Sequence, residues 1–181
     1  MDALKAIQSR RSVRKYKNDP VPDELLKQIL EAGRSAPSWA NFQPSFVIVV
    51  KDPAVKEKLS ATCSQNNPAI NAVKNAPIVL ALGYKNRISG YYKDQARTPN
   101  GDYGFFDAGL ASANITIAAC SLGLGTVHVA AIDVPLAAKL LEIPSDHTLV
   151  ELIPLGFPDH EPKPTPRKPL DQFVHMEKFK I

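Results

Sequence analysis

What this chain has little of narrows its chemistry first. It has two cysteines in 181 residues, Cys63 and Cys120. They lie far apart, with no CxxC and no histidine at ligand spacing. A disulfide framework, a zinc site and an iron-sulfur cluster are therefore all excluded, and buried thiols are the expected state. No apolar run approaches the roughly 18 residues that a membrane span needs, and Met1 to Arg14 carries no apolar segment of a secretory signal. The expected location is the cytoplasm. GxxxxGK[ST], HExxH and GxSxG are absent, which disfavours phosphoryl transfer, zinc proteolysis and the usual serine hydrolase. Neither sign of charge dominates, with 22 Lys and Arg against 18 Asp and Glu.

What charge there is sits in two places. Arg10, Arg11, Arg14, Lys15 and Lys17 cluster near the start, and Lys163, Arg167 and Lys168 near the end. Two small basic clusters at opposite ends of a chain suit a compact anion better than nucleic acid, provided the fold or a partner subunit brings them together. The run Arg10-Arg11-Ser12-Val13-Arg14 has the donors that a terminal phosphate takes, charge-assisted guanidinium bonds with a hydroxyl among them. Standing alone, it reads equally well as a solvated basic stretch.

Periodicity divides the rest. Ala3 to Ser9 forms a short helix behind an Asp2 cap. Pro22, Asp23 and Glu24 open a second helix with Leu25, Leu26, Ile29 and Leu30 as its apolar stripe, stopped by Gly33 and Pro37. Residues 36–44 are a loop rich in donors and acceptors that runs into the strand Phe46 to Val50. A helix from Asp52-Pro53 to about Thr62, a turn at Gln65 to Pro68 and a strand from Ile78 to Leu82 follow. Lys85 to Asp102 reads as a polar surface loop or partly ordered lid.

Phe105 to Leu122 is apolar nearly all round, with Ala108, Gly109, Ala111, Ser112 and Ala113 as small residues. A helix with no solvated face is buried on every side, so it is expected to pack also at a dimer interface. Gly123 reads as its cap, or else as a cofactor-facing turn. A strand from Thr126 to Ile132, a helix from Pro135 to Leu141 and a strand from about Leu149 to Leu155 complete the globular part. Pro158, Pro162, Pro164, Pro166 and Pro169 then favour an extended arm over residues 157–181. There is no internal repeat and no linker, so residues 1–181 read as one domain. The irregular alternation points to a three-layer α/β or α+β sandwich. His128, in an otherwise apolar strand, is the histidine best placed to face a site, with a structural role as the alternative. Trp39, Phe42, Tyr91, Tyr92 and Tyr103 could stack on a ring or simply pack.

Five motifs occur in order: Arg10-Arg11-Ser12-x-Arg14, Ala36-Pro37-Ser38-x-x-Asn41-x-Gln43-Pro44, Asn75-Ala76-Pro77, Leu122-Gly123-Leu124-Gly125-Thr126 and Arg167-Lys168-Pro169-Leu170. Together, and over nearly the whole chain, they resemble the FMN-dependent nitroreductase family in its compact single-domain form. That resemblance implies an α+β homodimer: a three-layer α/β/α sandwich with a mainly antiparallel central sheet, a domain-swapped C-terminal arm, and two FMN sites built from both subunits. By position, Arg10, Arg11, Ser12 and Arg14 match the phosphate and ribityl contacts, and Arg167 the later arginine of the anion site. Pro37, Ser38 and Asn41 match the loop that reaches the partner's flavin. Ala130 and Ala131 match the backbone groups near the flavin ring. Gln65, Asn66 and Asn67 are all candidates for a further ring contact. The implied activity is hydride transfer from NADH or NADPH through FMN to a small organic acceptor, such as a nitroaromatic or quinone, by ping-pong exchange. A flavin carries its own redox chemistry, which accounts for the missing acid-base triad. A flavin-binding or sensory protein without turnover, and a divergent enzyme of reductive dehalogenation or flavin cleavage, are the alternatives. The acceptor, the choice of nicotinamide and a possible electron-supplying protein partner stay open at this level.

Overall fold

The computed structural model describes residues 2–179. Helix α1 (Ala3–Ser9) starts where the Asp2 carboxylate accepts from the Lys5 N–H at 3.0 Å. Helix α2 (Asp23–Arg34) follows with Asp23 and Glu24 in its first turn, where acidic side chains favour the helix dipole. Strand β1 (Ser45–Val50) leads to α3 (Pro53–Ser60), capped by the Asp52 carboxylate, and to α4 (Ile70–Asn75). Strand β2 (Ile78–Lys85) is followed by a small hairpin of β3 (Tyr91–Tyr92) and β4 (Gln95–Ala96). The long helix α5 (Gly104–Ser121), β5 (Gly125–Thr126), α6 (Val134–Leu140) and β6 (His147–Gly156) complete the body.

The main sheet runs β1-β2-β6-β5, with every pair antiparallel. Both faces are covered. On one side Ile78, Leu80, Leu82, Ile153 and Leu155 pack against α2 and α5 through Leu26, Ile29, Ala111 and Ile115. On the other, Val79, Ala81 and Leu152 pack against Leu59, Val73 and Ala137 of α3, α4 and α6. This is the expected three-layer α/β/α sandwich. Because β2 is sandwiched in both directions, its first six residues are all buried, and burying each large aliphatic side chain contributes about 1.5–3 kcal/mol.

The two ends of the chain meet at the sheet margin. Ser12 bridges Thr126 in parallel, with the Val13 N–H donating to the Thr126 carbonyl at 2.9 Å. Lys17 N–H donates to Phe157 O and Asp159 N–H to Lys15 O. The Tyr16 hydroxyl donates to the carbonyls of Val13 and Pro154. This ladder fixes the start of the arm against the N-terminal basic run.

Several expectations need correction. Gly33 does not end α2; it lies inside it, where an added Cβ would sit 2.7 Å from Ile115 Cγ1, so its role is close approach to α5. Pro22 occupies the N-cap rather than the first turn. Thr126 to Ile132 is not a continuous strand: after β5 the segment pairs with its neighbours through the isolated bridges Val129–Leu152 and Cys63–Ile132. The polar stretch after Lys85 holds a hairpin. Helix α5 needs no correction, since its complete burial was not expected within one chain: Phe105 and Phe106 are 65% and 59% exposed. Gly123, at φ +79, closes α5 in a Schellman motif, with Leu124 N–H donating to Ala119 O and Gly123 N–H to Cys120 O. That selects the capping role. Among the described residues, no helix is long and apolar enough to cross a membrane.

Candidate functional site: an arginine pocket where the chain ends meet

The end-to-end ladder brings the two basic clusters together. A cavity of about 130 Å³ is lined by Arg10, Arg11, Ser12, Arg14, Pro162, Lys163, Thr165 and Arg167. Five of the eight lining residues are cationic, and no acidic one faces them there. The guanidiniums are not equivalent. Arg11 Nη1 turns back to donate to the carbonyls of Gln8 and Arg10 at 2.7 and 2.8 Å, closing the end of α1. Arg167 Nη1 donates to the Thr165 hydroxyl at 3.0 Å, and Arg14 is exposed. Arg10 Nη1 is buried and has no hydrogen-bond partner. A buried, unmatched cationic donor is costly by about 1–3 kcal/mol or more. Lys163 and Thr165 join the site although neither was singled out as a ligand; the basic cluster around Arg167 was their signal.

A second cavity of about 400 Å³ adjoins the first through Arg10, Arg11 and Pro162, and extends past Ser9, Cys120 and the Gly123–Thr126 segment. Gly125 is essential to the packing here, because a Cβ would sit 2.7 Å from Val13 Cβ. The glycine lets Val13, beside the Ser12–Thr126 bridge, lie against β5.

Ala130 and Ala131 are exposed on the segment after β5. The Ala131 carbonyl accepts from Ser64 N–H at 2.9 Å and from Asn67 Nδ2 at 3.4 Å. Of the three amide candidates, Asn67 is therefore the one whose side chain bonds to the Ala130–Ala131 segment. Cys63 lies beside it, and burial pushes its thiol pKa up.

Pro37, Ser38 and Asn41 stand apart from the arginine pocket. Pro37 and Ser38 line two clefts at the N-terminal end of α5, with Asp107 in both, and Asn41 is exposed at φ +59. Within one chain the structure joins the arginines to each other and not to this loop.

A buried polar cluster completes the inventory. Glu151 on β6, 6% exposed, accepts from the Ser112 hydroxyl of α5, and His128 Nδ1 lies 2.9 Å from its other oxygen. Ser112 Oγ is also 3.2 Å from the same Nδ1. Three residue types of a hydrolytic triad are present, but the serine is 4% exposed and its hydroxyl donates its hydrogen bond to the carboxylate. That arrangement clamps α5 to the sheet and offers no activated nucleophile. His128 thus takes the structural alternative at Nδ1. Among the described residues, no group of three or more His, Cys, Asp or Glu could hold a metal ion.

Fold and site together define an α+β sandwich with a compact cationic pocket where residues 10–14 meet residues 162–167. Comparison with known proteins gives it a lineage. The model of the nitroreductase family matches residues 7–157. An NADH dehydrogenase of Thermus thermophilus is 30% identical over 200 residues, covering 96% of this chain and 95% of that one. The NAD(P)H-using FMN reductase of Bacillus subtilis is 32% identical, covering 98% of this chain and 74% of that one. The solved structure of B. megaterium NfrA2 superposes with a TM-score of 0.85 at 30% identity, covering 99% and 76% of the two chains. The chain belongs to the nitroreductase family.

Proposed function

We propose that this protein is an NAD(P)H-dependent FMN oxidoreductase, working as a homodimer on a small organic acceptor such as a nitroaromatic or quinone. The observation that carries the proposal is the buried, unpartnered Arg10 Nη1 in a cationic pocket of about 130 Å³. Sites that enclose a whole ligand run to roughly 300–1,000 Å³. The arginine pocket therefore suits the phosphate alone, and the ring of the cofactor must lie outside it. Family membership and the name of the Bacillus relative, an FMN reductase, support FMN as that cofactor.

In this reading Arg10, Arg14 and Arg167 hold the phosphate, Ser12 donates towards the ribityl chain, and Arg11 contributes through the donors that α1 leaves free. Ala130, Ala131 and Asn67 border the ring with main-chain groups and one amide. Pro37, Ser38 and Asn41 belong to the other half of the site, supplied by a second copy of the chain. Exposed Phe105 and Phe106 on α5, and exposed Leu170, Phe173 and Met176 on the arm, are the apolar surface that a second copy would cover, with the arm exchanged between copies. When bound, FMN supplies two-electron chemistry, accepting hydride from reduced nicotinamide and passing it on. With one open ring face, donor and acceptor exclude each other, which is ping-pong behaviour.

The test is spectroscopic. The purified protein should carry a flavin absorbance, the released pigment should be FMN rather than FAD, and NADH or NADPH should bleach it in stopped flow without any acceptor. A bound flavin that stays oxidised with both donors refutes the enzyme.

A further inference from the structure

Asp107 lies in the first turn of α5 and is 2% exposed. It caps nothing of its own helix. Both carboxylate oxygens accept from the Trp39 N–H at 3.2 Å, and Oδ2 also accepts from the Ser89 hydroxyl. Ser89 is fully buried, and its carbonyl accepts from Tyr103 N–H at the base of the hairpin excursion. One carboxylate thus ties the loop before β1, the excursion after β2 and the start of α5.

The loop depends on that tie. Its other hydrogen bonds are internal: Asn41 N–H to Ser38 O, Phe42 N–H to Trp39 O, Gln43 N–H to Ser38 Oγ, and Gln43 Nε2 to Asn41 O. Among the described residues, the Trp39–Asp107 pair is all that bonds residues 37–43 to the rest of the chain. Ala40, Asn41 and Gln43 all have positive φ, which non-glycine residues hold only when their surroundings impose it. Beyond those bonds, the Trp39 ring leans on Tyr103 at 5.1 Å.

We infer that Asp107 is a positioning residue for the site: by holding the Trp39 N–H it fixes where Ser38 and Asn41 are presented. The inference rests on the reading above, in which this loop walls the second copy's flavin. It assigns Asp107 no contact with cofactor or substrate. Reactivity should therefore depend on Asp107, while the phosphate end should not.

Trp39 is the single tryptophan of the chain, so its emission reports the loop directly. FMN-loaded wild type, Asp107→Ala and Asp107→Asn are compared by acrylamide quenching of Trp39 and by turnover of menadione with NADH and NADPH. In Asp107→Ala, quenching should rise about twofold or more and kcat/KM for the acceptor should fall about 10- to 100-fold, the scale of an ångström-sized misplacement. FMN affinity should change less than about threefold, since the arginines that set it are untouched. Asp107→Asn should recover both readouts, because its Oδ1 still accepts from Trp39 and its Nδ2 can donate to Ser89. Unchanged quenching in Asp107→Ala overturns the inference, and so does raised quenching with wild-type turnover. Should Asp107→Ala fail to fold, Ser89→Ala carries the test: it loosens the carboxylate on one side, and no change in either quenching or turnover overturns the inference. A wild type that binds no FMN, or is not reduced, refutes the proposed function instead, and Trp39 quenching still reads the loop.

Discussion

Arg10 offers a test in which two measurements should move in opposite directions. Its Nη1 is buried and unpartnered, so without an anion it costs the fold about 1–3 kcal/mol. Arg10→Met removes the polar head and keeps an apolar stem of similar reach, so the packing along that stem survives. The anion-free protein should become more stable by about 1 kcal/mol, and for a domain of this size each kcal/mol moves Tm by about 2–4 °C. Flavin binding should weaken. A charge-assisted hydrogen bond contributes about 1.5–3 kcal/mol, which is about 10- to 150-fold in Kd. Arg14 is the internal control: its guanidinium is exposed, exposed ion pairs contribute about 0.2–1 kcal/mol, and Arg14→Met should weaken FMN only a few-fold, less still at high salt. Calorimetric melts of the flavin-free proteins at one concentration, with flavin titrations at two salt concentrations, decide the matter. An Arg10→Met protein that melts lower and binds FMN as tightly as wild type would refute the argument that Arg10 is kept for the phosphate.

Other substitutions probe how the fold supports the site. Gly125→Ala should push Val13 off β5, where the added Cβ meets Val13 Cβ at 2.7 Å; the expected cost is about 1–3 kcal/mol of stability, with a loss of FMN affinity, both read by urea melts and flavin titration. Glu151→Ala strands Ser112 and His128 together and should destabilise by about 1–3 kcal/mol, yet flavin reduction by NAD(P)H should survive; its abolition in a folded variant would contradict the clamp. For Cys63, burial raises the thiol pKa above its ordinary value of 9.0. The folded group therefore gives up its proton at higher pH than the unfolded one, and in the window above pH 9 ionisation favours the unfolded state, so this group's contribution to stability declines there as pH rises. Iodoacetamide labelling of Cys63 in a Cys120→Ser protein should stay slow through neutral pH and accelerate only above pH 9, whereas a fast reaction at pH 7 would show an accessible thiolate.

Helix caps and continuous apolar strands were legible from residues because they are local. Asp2, and Asp52 with Pro53, cap as their types dictate, and β2 begins at Ile78, where its apolar run begins, while β6 starts two residues ahead of its run, at His147. Elements held by distant partners were not. Helix α4 has six residues, too few for a period to emerge. Gly33 carries the residue type of a helix stop, yet the helix runs on to Arg34, and the close approach of Ile115 from α5 explains why the position carries no side chain. The segment after Thr126 has strand composition, but its partners meet it at isolated bridges. In the site, the two arginine clusters were legible from the residues, whereas their meeting came only as what the family resemblance implied, since it depends on the ladder between residues 15–17 and 157–159. Asp107 and Glu151 passed unread, although a signal existed: a lone carboxylate in an apolar helix or strand must find donors when buried, and here those donors are Trp39, Ser89, Ser112 and His128.

In the proposed function, affinity and reactivity are set at different places in the chain. The arginine pocket is held by backbone bonds joining the two chain ends, whereas the loop of Ser38 and Asn41 is held by one carboxylate at the far end of α5. In the proposed dimer each cofactor meets the pocket of one copy and the loop of the other. Substitutions should then fall into two kinetic groups. Changes at Arg10 or Arg14 should raise the Kd for FMN and leave kcat of the flavin-saturated enzyme nearly unchanged, because an interaction made equally before and during hydride transfer does not alter the barrier. Changes at Asp107 or Asn41 should do the reverse. Mixing an Arg10 variant with an Asp107 variant adds a stricter demand: in a heterodimer, one of the two sites carries both defects and the other carries neither. At an FMN concentration that fills wild-type sites and leaves Arg10-variant sites empty, freely exchanging subunits should therefore restore up to a quarter of wild-type activity, since half the dimers are mixed and each has one intact site of two. No recovery, with subunit exchange verified independently, would mean that pocket and loop serve the same copy's flavin.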